Sequence, residues 1–132
     1  MSQEPALPVY LQGIVTAYQG NGRKLGYPTA NIASQTSLED GVYFGYASLG
    51  SYKDWPCEIF IGEPITMGNN ERRVEAHILG IEDRDYYGQE LELTVRYFHR
   101  SNVKFESMEK LIIAMKADEK AARNWFKVND PA

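Results

Sequence analysis

From Tyr10 onward, apolar and polar positions alternate along the chain with a period of two, the spacing of half-buried strands. Val42, Phe44, Tyr46 and Ser48 alternate with Tyr43, Gly45, Ala47 and Leu49. The turn GSYKD then leads into residues 55–62, where Trp55, Cys57, Ile59 and Ile61 share a face. Val74, Ala76 and Ile78 alternate with Glu75, His77 and Leu79. After a second turn, RDYYGQ, the residues Leu91, Leu93, Val95 and Tyr97 face away from Glu90, Glu92, Thr94 and Arg96. Beyond FES the period changes. Met108, Leu111, Ile112, Met115, Ala122, Trp125 and Phe126 follow helical spacing, interrupted only by Glu119. Ser107 is the expected N-cap, with Glu109 in the first turn, where the helix dipole favours an acid. Many strands followed by one helix predict a mainly β protein, a closed or nearly closed antiparallel barrel with the helix over one side.

Composition narrows the class. A chain of 132 residues, 43% hydrophobic, is expected to form one domain over 1–132, with residues 1–9 a flexible leader. The formal charge of −4 argues against a nucleic-acid partner. The single cysteine, Cys57, rules out an internal disulfide framework. No apolar run reaches the ~20 residues of a membrane span, and the first residues lack the features of a signal peptide. A soluble, cytoplasmic protein is the expectation.

Candidate chemistry begins at Gly20 with GNGRKLGYPTANI, where three glycines, Arg23, Lys24 and Pro28 crowd together. Glycines let backbone N–H groups approach an anion, although neither standard phosphate-loop spacing is present. Behind Pro28, Thr29 and Asn31 are two apart and would share a face of a strand, so both could reach one hard cation such as Mg²⁺. In RRVEAHIL, Glu75 and His77 would point into the barrel if Val74, Ala76 and Ile78 packed outward. An inward carboxylate is costly unless it serves a site. A solvated strand face fits the same pattern. His77 and His99, the only histidines, belong to no ligand cluster. YFHRSNVKFES places Arg100, Lys104 and Phe105 between the last strand and the helix, which suits either a planar ligand or a staple on the helix start.

Taken in order, GNGRKLGYPTAN, DGVYFGYASL, VEAHIL, DYYGQELEL and FESMEKLIIAMKAD resemble the riboflavin kinase family over nearly the whole chain, from Gly13 to Phe126. The resemblance implies a six-stranded antiparallel Greek-key β-barrel with a C-terminal α-helix. It implies transfer of the ATP γ-phosphate to the ribityl 5′-hydroxyl of riboflavin, giving FMN and ADP with Mg²⁺ as cofactor. By position, Glu75 matches the general base, and Thr29 and Asn31 match the metal- and nucleotide-contacting pair. Tyr18, Gly20, Gly22, Arg23, Ile78, Gly80 and Tyr87 match nucleotide-side positions. Arg100, Val103, Lys104 and Phe105 match the flavin flap. Three departures stand out: a flap one residue short between Gly22 and Gly26, Tyr18 where a small residue is usual, and Ser101 where proline is common.

Many bacterial members are fused to an FMN adenylyltransferase module with an HxGH motif, which this sequence lacks. A chain that makes FMN and stops there is therefore expected. The initiating Met and short leader favour a stand-alone kinase, and a monomer is expected. A non-catalytic flavin- or nucleotide-binding barrel is the alternative. It would need no combination of Thr29, Asn31 and Glu75.

Overall fold

The structure, a computed structural model, describes residues 6–16, 29–33, 36–62, 72–82 and 84–129. Among the described residues six strands precede one helix: β1 (Val9–Ile14), β2 (Ala30–Ile32), β3 (Gly41–Leu49), β4 (Tyr52–Gly62), β5 (Arg73–Ile78), β6 (Glu90–Ser101) and α1 (Met108–Asn129). The chain, read above as one domain, divides into two compact units, residues 1–102 and 103–132.

In the first unit every strand pairing is antiparallel, in the order β1-β6-β3-β4-β5-β2. Strands β3, β4 and β5 follow one another, and β6 returns to lie beside β3, which is the Greek-key order. The two edges meet. Thr16, just past β1, bridges Asn31 of β2, and its N–H donates to the Asn31 carbonyl at 2.9 Å. The bridge joins the edge strands, so neither lies fully open.

The alternation seen in the sequence decides which face is the core. Ile32, Ala47, Leu49, Cys57, Ile59, Ile61, Val74, Ala76, Leu91, Leu93 and Val95 belong to one buried apolar cluster. Leu7 and Val9, within the stretch expected to fray, pack against it. The apolar side of β5 therefore turns toward the core. Of the two readings open for Glu75 and His77, the one that pointed them into the barrel required this side to pack outward; with it in the core, they lie on the opposite face. The cause is plain: the interior is filled with branched aliphatic side chains, and an ionised carboxylate among them would be very costly.

One predicted core residue changes sides. Val95 pairs with Gly45, whereas Tyr97 pairs with Phe44, so β6 carries an extra residue, Arg96. This bulge reverses the alternation beyond it. Tyr97 is exposed, and its ring stacks on Phe44 at 5.8 Å between centroids. Gly45 is required at the bulge, since a Cβ there would collide with the Thr94 carbonyl.

In the second unit α1 begins as expected. The Ser107 hydroxyl accepts from the Lys110 N–H at 3.2 Å, and Glu109 occupies the first turn. Ala122 and Phe126 are buried, whereas Met108, expected on the apolar stripe, is exposed at the first turn. Asp118, buried on that stripe, was not anticipated. Among the described residues, no helix is long and apolar enough to cross a membrane.

Candidate active site

One cross-sheet row brings candidate residues together. Reading across the strands, Thr16 faces Asn31, Asn31 faces Glu75, Glu75 faces Phe60, Phe60 faces Val42, and Val42 faces Arg100. Residues directly opposed in an antiparallel pair share a face, with Cβ atoms about 5 Å apart. The row thus places Asn31 one step from Glu75, and Arg100 three steps beyond it. Residues far apart in sequence are aligned by register alone.

Asn31 is 3% exposed, and its Oδ1 has no hydrogen-bond partner. A buried amide oxygen left unpaired costs about 1–3 kcal/mol, so it marks either strain or a place reserved for a ligand. Its main-chain oxygen is already engaged by the Thr16 N–H and hydroxyl. Thr29 directly precedes β2, and alternation places it on the side of Asn31. These two uncharged oxygen donors suit a hard cation that keeps most of its shell as water and phosphate oxygens. Among the described residues, no group of three or more His, Cys, Asp and Glu is placed to hold a metal. The donor set fits Mg²⁺ bound together with a nucleotide.

Glu75 is partly buried, and desolvation pushes its carboxyl up to about 7, against the lowering effect of the Arg73 cation. A carboxylate with that affinity for a proton is suited to general-base work near neutrality. Its neighbour on β5, His77, has Nδ1 2.8 Å from Glu58 Oε2, and the two are paired in register between β4 and β5. His77 is thereby an oriented strand residue.

Ile78 is a core side chain, so it can offer a ligand only its main chain. Gly80 follows in the β5–β6 connection at φ +78°, exposed, with open space where a side chain would stand. Its stretch is held in place. The Trp55 indole donates to the Leu79 carbonyl at 2.6 Å, and the Leu79 N–H donates to the Pro56 carbonyl at 2.9 Å. Tyr87 is exposed, with its N–H held by Asp85 Oδ1 at 2.9 Å. Arg100 lies near the end of β6, and its guanidinium donates to the Ser101 carbonyl at 3.1 Å. Val103, Lys104 and Phe105 open the second unit; the first two are exposed and Phe105 is partly buried. Tyr18, Gly20, Gly22 and Arg23 lie outside the described residues.

Thr16, Phe60 and Val42 are the row members that sequence reasoning missed. In the run CEIFIG, Phe60 falls out of phase with the face of Cys57, Ile59 and Ile61, and its register opposite Glu75 makes it a neighbour of that residue.

A Greek-key barrel whose surface row joins an unpaired amide oxygen to a near-neutral carboxylate has the parts of a small-molecule kinase. The Flavokinase family model, described as riboflavin kinase, matches residues 6–126, and the chain belongs to the riboflavin kinase family. It is 35% identical to the trifunctional protein RibF/MnmA of Mycoplasmoides gallisepticum, over 90% of this chain and 18% of that protein. It is 32% identical to human riboflavin kinase, over 89% of this chain and 80% of the human one. The crystal structure of riboflavin kinase from Trypanosoma brucei shares the fold, with a TM-score of 0.68 at 24% identity, covering 89% of this chain and 76% of that one.

Proposed function

We propose that the chain transfers the γ-phosphate of ATP to the ribityl 5′-hydroxyl of riboflavin, giving FMN and ADP. The observation that carries the reading is the adjacency, in one row, of the unpaired Asn31 Oδ1 and the near-neutral Glu75 carboxyl. A merely flavin-binding barrel has no use for that pair.

Phosphoryl transfer leaves the protein little covalent work. It requires the acceptor hydroxyl in line with the γ-phosphate, and charge stabilisation around the phosphate. Glu75 accepts the hydroxyl proton as the bond from the ribityl oxygen to the γ-phosphorus forms and the bond from that phosphorus to the bridging oxygen of ADP breaks. The β-sheet beneath Glu75 is anchored by core residues Val74 and Ala76, which keeps the carboxylate in place between substrates. Thr29 and Asn31 would hold Mg²⁺, which when bound neutralises charge on the transferring phosphate. Gly80, with its bare and open backbone, is assigned to the nucleotide side, as are the main chain of Ile78, the exposed Tyr87, and the loop residues Tyr18, Gly20, Gly22 and Arg23. Arg100 is assigned to the flavin side, and Val103, Lys104 and Phe105 carry that assignment by resemblance to the family. The reaction is placed in the cytoplasm.

Incubation of the protein with riboflavin, ATP and Mg²⁺, followed by chromatography, tests this reading. FMN and ADP in equal amounts are expected. No FMN at any Mg²⁺ concentration would overturn it.

A further inference from the structure

The row has a direction. Asn31 lies on one side of Glu75 and Phe60 on the other. In an in-line transfer the phosphoryl donor and the acceptor approach the transferring group from opposite sides. With the phosphate and its cation on the Asn31 side, the carbon chain that carries the acceptor hydroxyl must come over Phe60. We propose that Phe60 is the apolar floor that positions the acceptor substrate and selects a long, partly aromatic alcohol over a bare sugar.

Two features of the strand support this. Phe60 is only partly buried and is paired with Glu75, unlike its buried neighbours Ile59 and Ile61. The ring also lies down along β4. Its tip comes within 3.3 Å of where a Cβ on Gly62 would be, so the missing side chain at Gly62 leaves room for the ring to lie along the strand. A ring in that position offers apolar surface rather than a wall. Past it, Val42 is buried yet stands outside the core cluster, on the same face. Arg100 ends the row. Three strand steps of ~4.8 Å separate Glu75 from Arg100, a span of about 14 Å. That suits a polyol chain ending in a fused polar ring, with the hydroxyl at one end and the ring near the cation at the other. A short polyol would reach Glu75 but not Arg100.

This inference rests on Glu75 being the base of a riboflavin kinase, and the test separates the two. The wild-type protein is first assayed for FMN formation, which if absent overturns both. Phe60→Ala and Phe60→Leu are then compared with wild type at varied riboflavin and varied MgATP. Phe60→Ala should raise the riboflavin KM about tenfold or more, the order expected when a ligand loses an apolar contact of this size. The ATP KM should stay within about twofold, and Phe60→Leu, which keeps most of the apolar surface, should recover most of the loss. If Phe60→Ala fails to fold, Phe60→Leu and Phe60→Ser carry the same comparison. An unchanged riboflavin KM in the folded variants, or equal rises in both KM values, would overturn the inference.

Discussion

Replacing Glu75 by glutamine keeps the shape of the side chain and removes its titration, which separates the electrostatic cost of this residue from its packing. Burial raises the carboxyl from 4.5 to about 7. At about 1.4 kcal/mol per tenfold, that rise is worth roughly 3 kcal/mol, and partial solvent access reduces it to roughly half. The folded-state value lies above the unfolded one, so protonation favours the folded protein. The contribution is fully present below about pH 4.5 and is lost as the pH rises through 7. Relative to Glu75→Gln, wild type should therefore lose about 1.5 kcal/mol between pH 4.5 and pH 8. For a chain of this size that is on the order of 5 °C in Tm. Thermal unfolding of both proteins, followed by circular dichroism with a chelator present, measures the difference at each pH. The variant should gain on wild type through this window and hold its lead above it. A Tm difference that does not change with pH would show that the carboxylate is not desolvated, and the basis for treating it as a tuned base would fall.

Asn31→Ala should cost less than about 1 kcal/mol in stability, because the oxygen it removes is already unpaired, yet it should cripple Mg²⁺-dependent turnover. Unaltered activity across a Mg²⁺ titration in both Asn31→Ala and Thr29→Ala would refute the assignment of the pair. Arg100→Ala should raise the KM for riboflavin more than that for ATP in steady-state assays, and equal rises would count against its place at the flavin end. Cys57 is fully buried in the core, and burial pushes its thiol far above the ordinary range. It should stay unlabelled by a thiol reagent at pH 8 until the protein unfolds, and rapid labelling of the native form would contradict the packing of β4.

How much of this was legible in the sequence differs between fold and site. The strands were visible because a sheet with one apolar face imposes a period of two, and the helix because its capping serine and apolar spacing are local. Local periodicity cannot see a bulge, so Tyr97 was placed with Val95, although one extra residue in β6 sends it to the other face. Nor does it tell the inside of a barrel from the outside. For that reason an inward Glu75 and a Glu75 on the outer strand face fit the sequence equally, and only the packing of Val74 and Ala76 in the interior decides between them. Asn31 and Glu75 were each recognisable by their motifs, but their adjacency is a matter of register between β2 and β5. Phe60 was hidden by its company, one aromatic residue among isoleucines in a strand buried on its other face. Pairing between distant strands set all three, and no single stretch of chain contains it.

In the proposed reaction Glu75 takes the proton from the acceptor hydroxyl beside a phosphate held on the Asn31 side. The most direct measurement follows the label from γ-phosphate-labelled ATP into riboflavin, with wild type and Glu75→Gln run side by side at saturating MgATP and riboflavin and pH 8. General-base contributions are typically ~10²–10⁴-fold, so the variant should transfer label more slowly by that order while retaining near-normal affinity for both substrates. Transfer by Glu75→Gln at a rate close to wild type would contradict the account.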